Sequence, residues 1–377
     1  MPSRAQQLLD LGQSVWLDYI HRRELSSGVF AAQIRDQGVV GVTSNPTIFQ
    51  QAIGQGSDYD DAIREGLARR LAGVPLYESL AIADVQTACD LLLPVFERSA
   101  GLDGRVSMEV SPRLAHDTEG TIAEARRLRA AVARPNVMIK VPATAAGLPA
   151  VRALIAEGTC VNVTLIFSLA RYEQVIDAYL AGLEQRAAQD LPLAPLVSVA
   201  SFFVSRVDSK VDAAIERRLA ALPADAPERA ELADLAGRAA VANAKLAYER
   251  FRAVFAGARF APLQARGARV QRPLWASTST KNPAYSDTLY VDELIGPDTV
   301  NTVPPKTLAA YNDHGVLDPR LLRGADRAHA VFERLPALGV PLDDLIGELE
   351  EEGVAAFAKS FDALLATLEE KRARMAG

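Results

Sequence analysis

The chain has 377 residues, 49% of them hydrophobic, enough for one large α/β barrel or two ordinary domains with a substantial core. Its 41 Lys and Arg against 47 Asp and Glu give a net charge of −6, which argues against nucleic acid as the main partner but leaves room for a locally basic pocket holding an anion. Cys89 and Cys160 sit far apart in apolar surroundings, so a disulfide framework is not expected. No apolar run approaches a membrane span, and Met1-Pro-Ser-Arg-Ala-Gln-Gln lacks the charged-then-apolar order of a signal peptide. A soluble, cytoplasmic protein is expected.

In chain order, residues 6–12 predict a short helix, and Val15 to Ile20 a strand with an acid, Asp18, inside it. Leu25 to Gln37 has helical spacing and ends at Gly38 as a capping glycine would end it. Val39 to Ser44 is the second strand, closed by Asn45-Pro46. Asp58 to Leu71 and Tyr77 to Arg98 are amphipathic helices. Arg105 to Ser111, containing Glu109, is the third strand, followed by a helix over Thr118 to Ala133. In the fourth strand, Asn136 to Pro142, Val137, Met138, Ile139 and Val141 are apolar and Lys140 stands in their midst. Gly147 to Ala156 is helical, and Cys160 to Phe167 is the fifth strand, with Ser168 capping a helix that runs to about Ala188.

Leu196 to Val204 is the sixth strand and Ser205 to Leu219 a helix. A Pro/Ala-rich linker at Leu222 to Pro227 leads into one long helix, Glu228 to Phe255. Pro273 to Ser277 is the seventh strand, Tyr285 to Ile295 a helix and Thr299 to Val303 the eighth strand, with Pro305 at the first position of a helix. From about Pro319 the chain is helical only. Eight strands alternating with helices predict a parallel sheet, and eight units match the (β/α)₈ TIM barrel. A doubly wound open sheet is the rival. The expectation is one barrel domain over 1–377, with a helical insertion at about 205–260 and extra C-terminal helices at about 319–377.

Polar groups that strands should not contain carry the functional reading. Asp18, Asn45, Glu109, Lys140, Asn162, Thr164 and Ser201 come from six different strands. A barrel would bring them to one mouth, whereas an open sheet would scatter them over two faces. The chain has only seven lysines, and one buried in a strand must pair or surrender its proton. An amine so held attacks ketones. The resulting iminium is an electron sink that lets the neighbouring carbon–carbon bond break, with one carboxylate taking the hydroxyl proton and a second serving the dehydration step. His21, His116, His314 and His329 lack zinc spacing, and Gly54-Gln-Gly56 lacks the rest of a nucleotide fingerprint.

Five runs then carry a family resemblance: Gly41-Val-Thr-Ser-Asn-Pro46, Met108-Glu-Val-Ser111, Ile139-Lys-Val-Pro142, Asn162-Val-Thr-Leu-Ile-Phe-Ser168 and Ser201-Phe-Phe-Val-Ser-Arg206. In this order, between about Trp16 and Pro304, they resemble transaldolase. Trp275 to Pro283 resembles the longer branch of that family. The resemblance implies a metal-independent, cofactor-free class I aldolase-type barrel of the pentose phosphate pathway. Its substrates would be fructose 6-phosphate or sedoheptulose 7-phosphate as donor, and erythrose 4-phosphate or glyceraldehyde 3-phosphate as acceptor. It implies Lys140 as the Schiff-base lysine, Asp18 as the acid/base at the cleaved bond, and Glu109 with Thr164 around the catalytic water. Asn45, Asn162 and Ser201 would bind the dihydroxyacetone part and Arg206 the phosphate.

One departure stands out. Shorter members carry Ala-Ser-Phe-Arg after the seventh strand, and here the run is Ala276-Ser277-Thr278-Ser279-Thr280-Lys281. Ser277 aligns. Ser279 holds the arginine position, and Lys281, two residues on, is its alternative in the phosphate site. The competing readings are a lysine aldolase that cleaves fructose 6-phosphate, and a silent barrel that only binds sugar phosphates.

Overall fold

A computed structural model describes residues 2–376 of the chain. Eight strands, β1 (Gln13–Asp18), β2 (Val39–Thr43), β3 (Arg105–Glu109), β4 (Val137–Pro142), β5 (Val161–Ile166), β6 (Ser198–Phe203), β7 (Gln271–Ala276) and β8 (Thr299–Val303), are all parallel. They follow one another round a closed barrel, and β8 pairs with β1. That last pairing excludes the open sheet. The strands read as unbroken apolar runs because helices cover the outside while side chains fill the inside. Trp16 and Trp275 are wholly buried.

Polar strand residues occur at both ends of the barrel. Near the strand starts Arg272 donates to Ser14 Oγ at 2.8 Å and to Asp103 Oδ1 at 3.0 Å, and Ser14 donates to Asp103 at 2.8 Å. This closed network plugs the floor. The opposite end is where β1 and β3 finish in Asp18 and Glu109.

Two helices with continuous spacing are each broken at a glycine whose φ is positive, a conformation other residues adopt at a cost. Leu25–Gln37 becomes Arg22–Ser27 and Val29–Asp36 around Gly28 (φ +87°), and Glu228–Phe255 becomes Glu228–Leu235 and Ala239–Phe255 near Gly237 (φ +71°). A helix absent from the expectation, Pro46–Gly54, starts directly after β2. Asn45 caps it through Oδ1 and Pro46 occupies its first turn. Contrary to expectation, the 26-residue Gly73–Arg98 helix is apolar enough to cross a membrane by length and composition. Here it packs against the barrel wall, with Leu80, Val85 and Cys89 buried.

The 35-residue helix Leu342–Ala376 is about 50 Å long at 1.5 Å per residue and crosses the barrel mouth. Its polar side chains reach the helical segments that follow four different strands, β2, β3, β5 and β6. Glu350 accepts from Arg171 at 2.8 Å, Glu348 pairs with Lys210 at 2.7 Å, Asp362 accepts from Arg113 at 2.6 Å and Ser360 bonds Thr47 at 2.8 Å. Its apolar face turns inward: Phe361 meets Tyr77 edge-on at 5.6 Å, and Phe357 is 5% exposed beneath the helix. Burying such a ring contributes roughly 1.5–3 kcal/mol.

Candidate active site

Lys140 sits on β4 among Val137, Met138, Ile139 and Val141, all buried, and is itself 4% exposed. β4 pairs in register with β3 so that Lys140 lies opposite Glu109, and with β5 so that it lies opposite Asn162. Nζ is 3.3 Å from Glu109 Oε2 and 3.3 Å from the Ser44 carbonyl oxygen, and 5.5 Å from the centre of the Phe357 ring. Burial pushes the Glu109 carboxyl up to about 7, against the opposing pull of the Lys140 charge and hydrogen bond. Glu109 therefore exchanges a proton near neutrality, within reach of the amine.

Asp18, at the end of β1, is raised by burial, which the charges of Lys140, Lys281 and Arg206 offset in part. Thr43 Oγ1 donates to Asp18 Oδ1 at 2.7 Å. Thr302 lies 2.6 Å from the same Thr43 oxygen. Since Thr43 spends its single proton on the carboxylate, Thr302 is the donor to Thr43. The two hydroxyls fix the orientation of the acid.

Asn162 lies second in β5 rather than at the strand end, level with Lys140 because the strands of a barrel are staggered. Its Oδ1 accepts from Ser201 Oγ at 2.7 Å and its Nδ2 donates to Ser107 Oγ at 3.0 Å. Thr164 Oγ1 is buried and has no hydrogen-bond partner among the described residues. Thr164 belongs to a bulge, where β5 carries one residue more than β6 between Val163 and Ile166 and Leu165 takes φ +60°. Such a bulge re-aims the strand end. The backbone of Ser277 is likewise left-handed at φ +55°. Non-glycine residues held this way cost roughly 1–3 kcal/mol each and cluster at functional sites.

The third corner is cationic. Arg206 stands in the first turn of the Ser205–Ala221 helix, whose N-cap, Val204, offers no side-chain hydrogen bond. Ser205 N donates to the Ser277 carbonyl and its Oγ lies 3.0 Å from Ser277 Oγ, so the loop after β7 is tied to this helix start. Arg206 and Lys281 form no ion pair among the described residues; Arg206 lies 5.3 Å from the Phe203 ring and 5.9 Å from Phe357, and Lys281 donates to Ser279 Oγ at 2.8 Å. Two cations with no carboxylate bonded to them among the described residues, one of them in the first turn of a helix, are an arrangement that suits an anion.

A pocket of about 310 Å³ joins these parts, and Asp18, Asn45, Lys140, Ser201, Arg206, Ser277, Ser279 and Lys281 line it. Glu109, Asn162 and Thr164 do not line that pocket. Glu109 instead borders an adjoining space of about 10 Å³ with Ser44, Asn45 and Tyr77, about the size of one water. Thr43, Gln51, Phe203, Thr302 and Phe357 line the main pocket as well. Thr43 belongs to the Gly41–Pro46 run, and a hydroxyl at a strand end is a signal for a partner of a neighbouring strand-end acid. Phe357, an apolar residue on an amphipathic helix, carries no sequence signal that separates it from core.

A family model described as Transaldolase/Fructose-6-phosphate aldolase matches residues 15–368. The chain belongs to this family. It is 51% identical to Transaldolase 1 of Streptomyces coelicolor over 96% of this chain and 93% of that protein. It is 50% identical to the Transaldolase of Saccharopolyspora erythraea over 98% of each. With Transaldolase 2 of Nostoc sp. it shares 46% identity over 97% of this chain and 96% of the other. At such identity over nearly the whole length, transaldolase function is assigned to the chain, an enzyme of the transferase class whose place is pentose phosphate metabolism.

Proposed function

We propose that the chain moves a dihydroxyacetone unit from a ketose phosphate to an aldose phosphate through a covalent iminium on Lys140. The observation that carries this is a buried amine 3.3 Å from Glu109 in a pocket that also holds Asp18 and the cations Arg206 and Lys281. Donors would be fructose 6-phosphate or sedoheptulose 7-phosphate, and acceptors erythrose 4-phosphate or glyceraldehyde 3-phosphate.

Lys140 gives a proton to Glu109 and adds to the keto carbon. The carbinolamine loses its oxygen as water with the proton returned by Glu109, leaving the iminium; Thr164 Oγ1 is free to hold that water. Asp18 takes the proton of the hydroxyl beyond the reacting bond. That bond then breaks, its electron pair flows into the iminium, and the aldose phosphate leaves. The enamine adds to the acceptor aldehyde as Asp18 returns its proton, and water releases the new ketose. Ser201, set by Asn162, and the amide nitrogen of Asn45 bind the dihydroxyacetone hydroxyls. Arg206 and Lys281 hold the phosphate. Cytoplasmic residence is proposed as well, in keeping with free Cys89 and Cys160.

The test is transfer against cleavage. With fructose 6-phosphate and erythrose 4-phosphate, glyceraldehyde 3-phosphate and sedoheptulose 7-phosphate should form in equal amounts. With fructose 6-phosphate alone, turnover should be far slower. Equal turnover with and without acceptor, with free dihydroxyacetone released, would make the protein an aldolase. Binding with no turnover would make it a silent barrel.

A further inference from the structure

A second cavity, of about 680 Å³, opens among the Glu228–Leu235, Ala239–Phe255, Leu289–Glu293 and Ala325–Ala337 helices. None of its lining residues lines the Lys140 pocket. On a chain of net charge −6 its wall is basic. Glu293 accepts from Lys245 at 3.2 Å and from Arg320 at 2.9 Å, and Asp318 accepts from Arg320 at 3.3 Å and also from Arg323. Two carboxylates thus serve three cations, fixing them around the opening and leaving one positive charge over. Arg238 and Arg334 are balanced one to one by Asp234 and Glu231.

Arg327 adds a second surplus charge, since it forms no ion pair among the described residues although it lines the same wall. It lies in the first turn of the 13-residue Ala325–Ala337 helix, whose N-cap is Gly324 at φ +78°, without a side-chain cap. A cation at the positive end of a helix dipole is unfavourable unless an anion joins it. The first-turn acid, Asp326, lines the neighbouring groove with His329 instead. The rest of the cavity is apolar, with Val241, Leu289 and Val331 on its floor.

We propose that this cleft binds a phosphate monoester carrying an apolar or aromatic body, a nucleoside monophosphate being the simplest. Two surplus positive charges match a phosphate monoester dianion near pH 7, arginine forks suit its oxygens, and the volume is that of a site for a nucleotide-sized ligand. The apolar floor has no counterpart to satisfy in a bare sugar phosphate.

The experiment is titration calorimetry of adenosine monophosphate into wild-type, Arg206→Ala and Arg327→Glu proteins. Arg327 is exposed and makes no ion pair to lose among the described residues, so its variant is expected to keep the fold, which a melting curve checks. Saturable binding is expected in wild-type and Arg206→Ala proteins alike, with at least about tenfold weaker binding in Arg327→Glu, the worth of one charge-assisted hydrogen bond. Inorganic phosphate should bind more weakly than the nucleotide. No saturation up to about 10 mM, a Kd at which binding is marginal, would overturn the proposal. So would loss of binding in Arg206→Ala alone, since the ligand would then be in the Lys140 pocket. Equal affinity for inorganic phosphate would overturn the assignment of an apolar body.

Discussion

Replacing Glu109 with Gln tests the division of labour at Lys140. The side chain keeps its shape, and its amide oxygen can still accept a hydrogen bond from Nζ, now 3.3 Å away. What is lost is a proton acceptor that burial brings to about 7. General acid/base assistance is worth about 10² to 10⁴ in rate. Because Glu109 does not line the substrate pocket, this loss should fall on the chemical step. Iminium formation should slow by about 10² to 10³, or roughly 3–4 kcal/mol of barrier, while substrate affinity changes less than about threefold, under 1 kcal/mol. The assay is a single turnover with fructose 6-phosphate, quenched by borohydride at increasing times and read by intact mass. Breaking a buried pair costs about 3–5 kcal/mol when a charge is left alone. Here the Ser44 carbonyl, also 3.3 Å from Nζ, and the new amide oxygen reduce that cost, so a melting curve should show a folded protein. An unchanged rate of adduct formation would refute the role given to Glu109. So would a loss confined to affinity.

The pH profile follows from the same pair. Protonating Glu109 beside an ammonium leaves no acceptor for the lysine's proton, so kcat/KM should fall about tenfold per pH unit below about 7, and a flat acid limb would contradict this. Phe357→Leu keeps an apolar roof but removes the π face above Nζ and Arg206. It should change stability by less than about 1.5 kcal/mol yet cost roughly fivefold in kcat/KM, the worth of about 1 kcal/mol of cation–π attraction. Arg206→Ala should raise KM for fructose 6-phosphate by about 10- to 100-fold, as loss of charge-assisted bonds does, while turnover of unphosphorylated dihydroxyacetone donors stays near that of the wild type. Lys281→Met should behave in the same direction and Ser279→Ala should not, which decides between the two for the phosphate site.

The barrel was legible because parallel strands buried on both faces must be apolar throughout, and eight such runs alternate with helices. Lys140 was legible for the converse reason, as a charge in a place that charges avoid. That logic alone is not specific. Ser14 and Arg272 are polar strand residues too, yet they belong to the barrel floor with Asp103. What separates floor from mouth is position along the strand. Asn162 shows the limit, since barrel stagger sets it level with Lys140 although it is only second in its strand. The breaks near Gly28 and Gly237 escaped because apolar spacing continues across them while the backbone does not. The roof was illegible for a different reason. Phe357 meets Lys140 only because a helix more than 200 residues later folds back over the mouth, and nothing local distinguishes it from an ordinary core phenylalanine. Likewise the ring of polar residues is not a single wall: Glu109 borders the adjoining space, Thr164 lines neither cavity and Asn162 reaches the pocket through its bond to Ser201, which only the packing of neighbouring strands decides.

The most direct measurement is reductive trapping. Incubation with fructose 6-phosphate and borohydride, followed by intact mass and peptide mapping, should add one reduced dihydroxyacetone unit per chain. The label should lie on Lys140, and Lys140→Ala protein should take up none. A label on any of the other six lysines, or turnover by Lys140→Ala at the wild-type rate, would contradict the covalent mechanism.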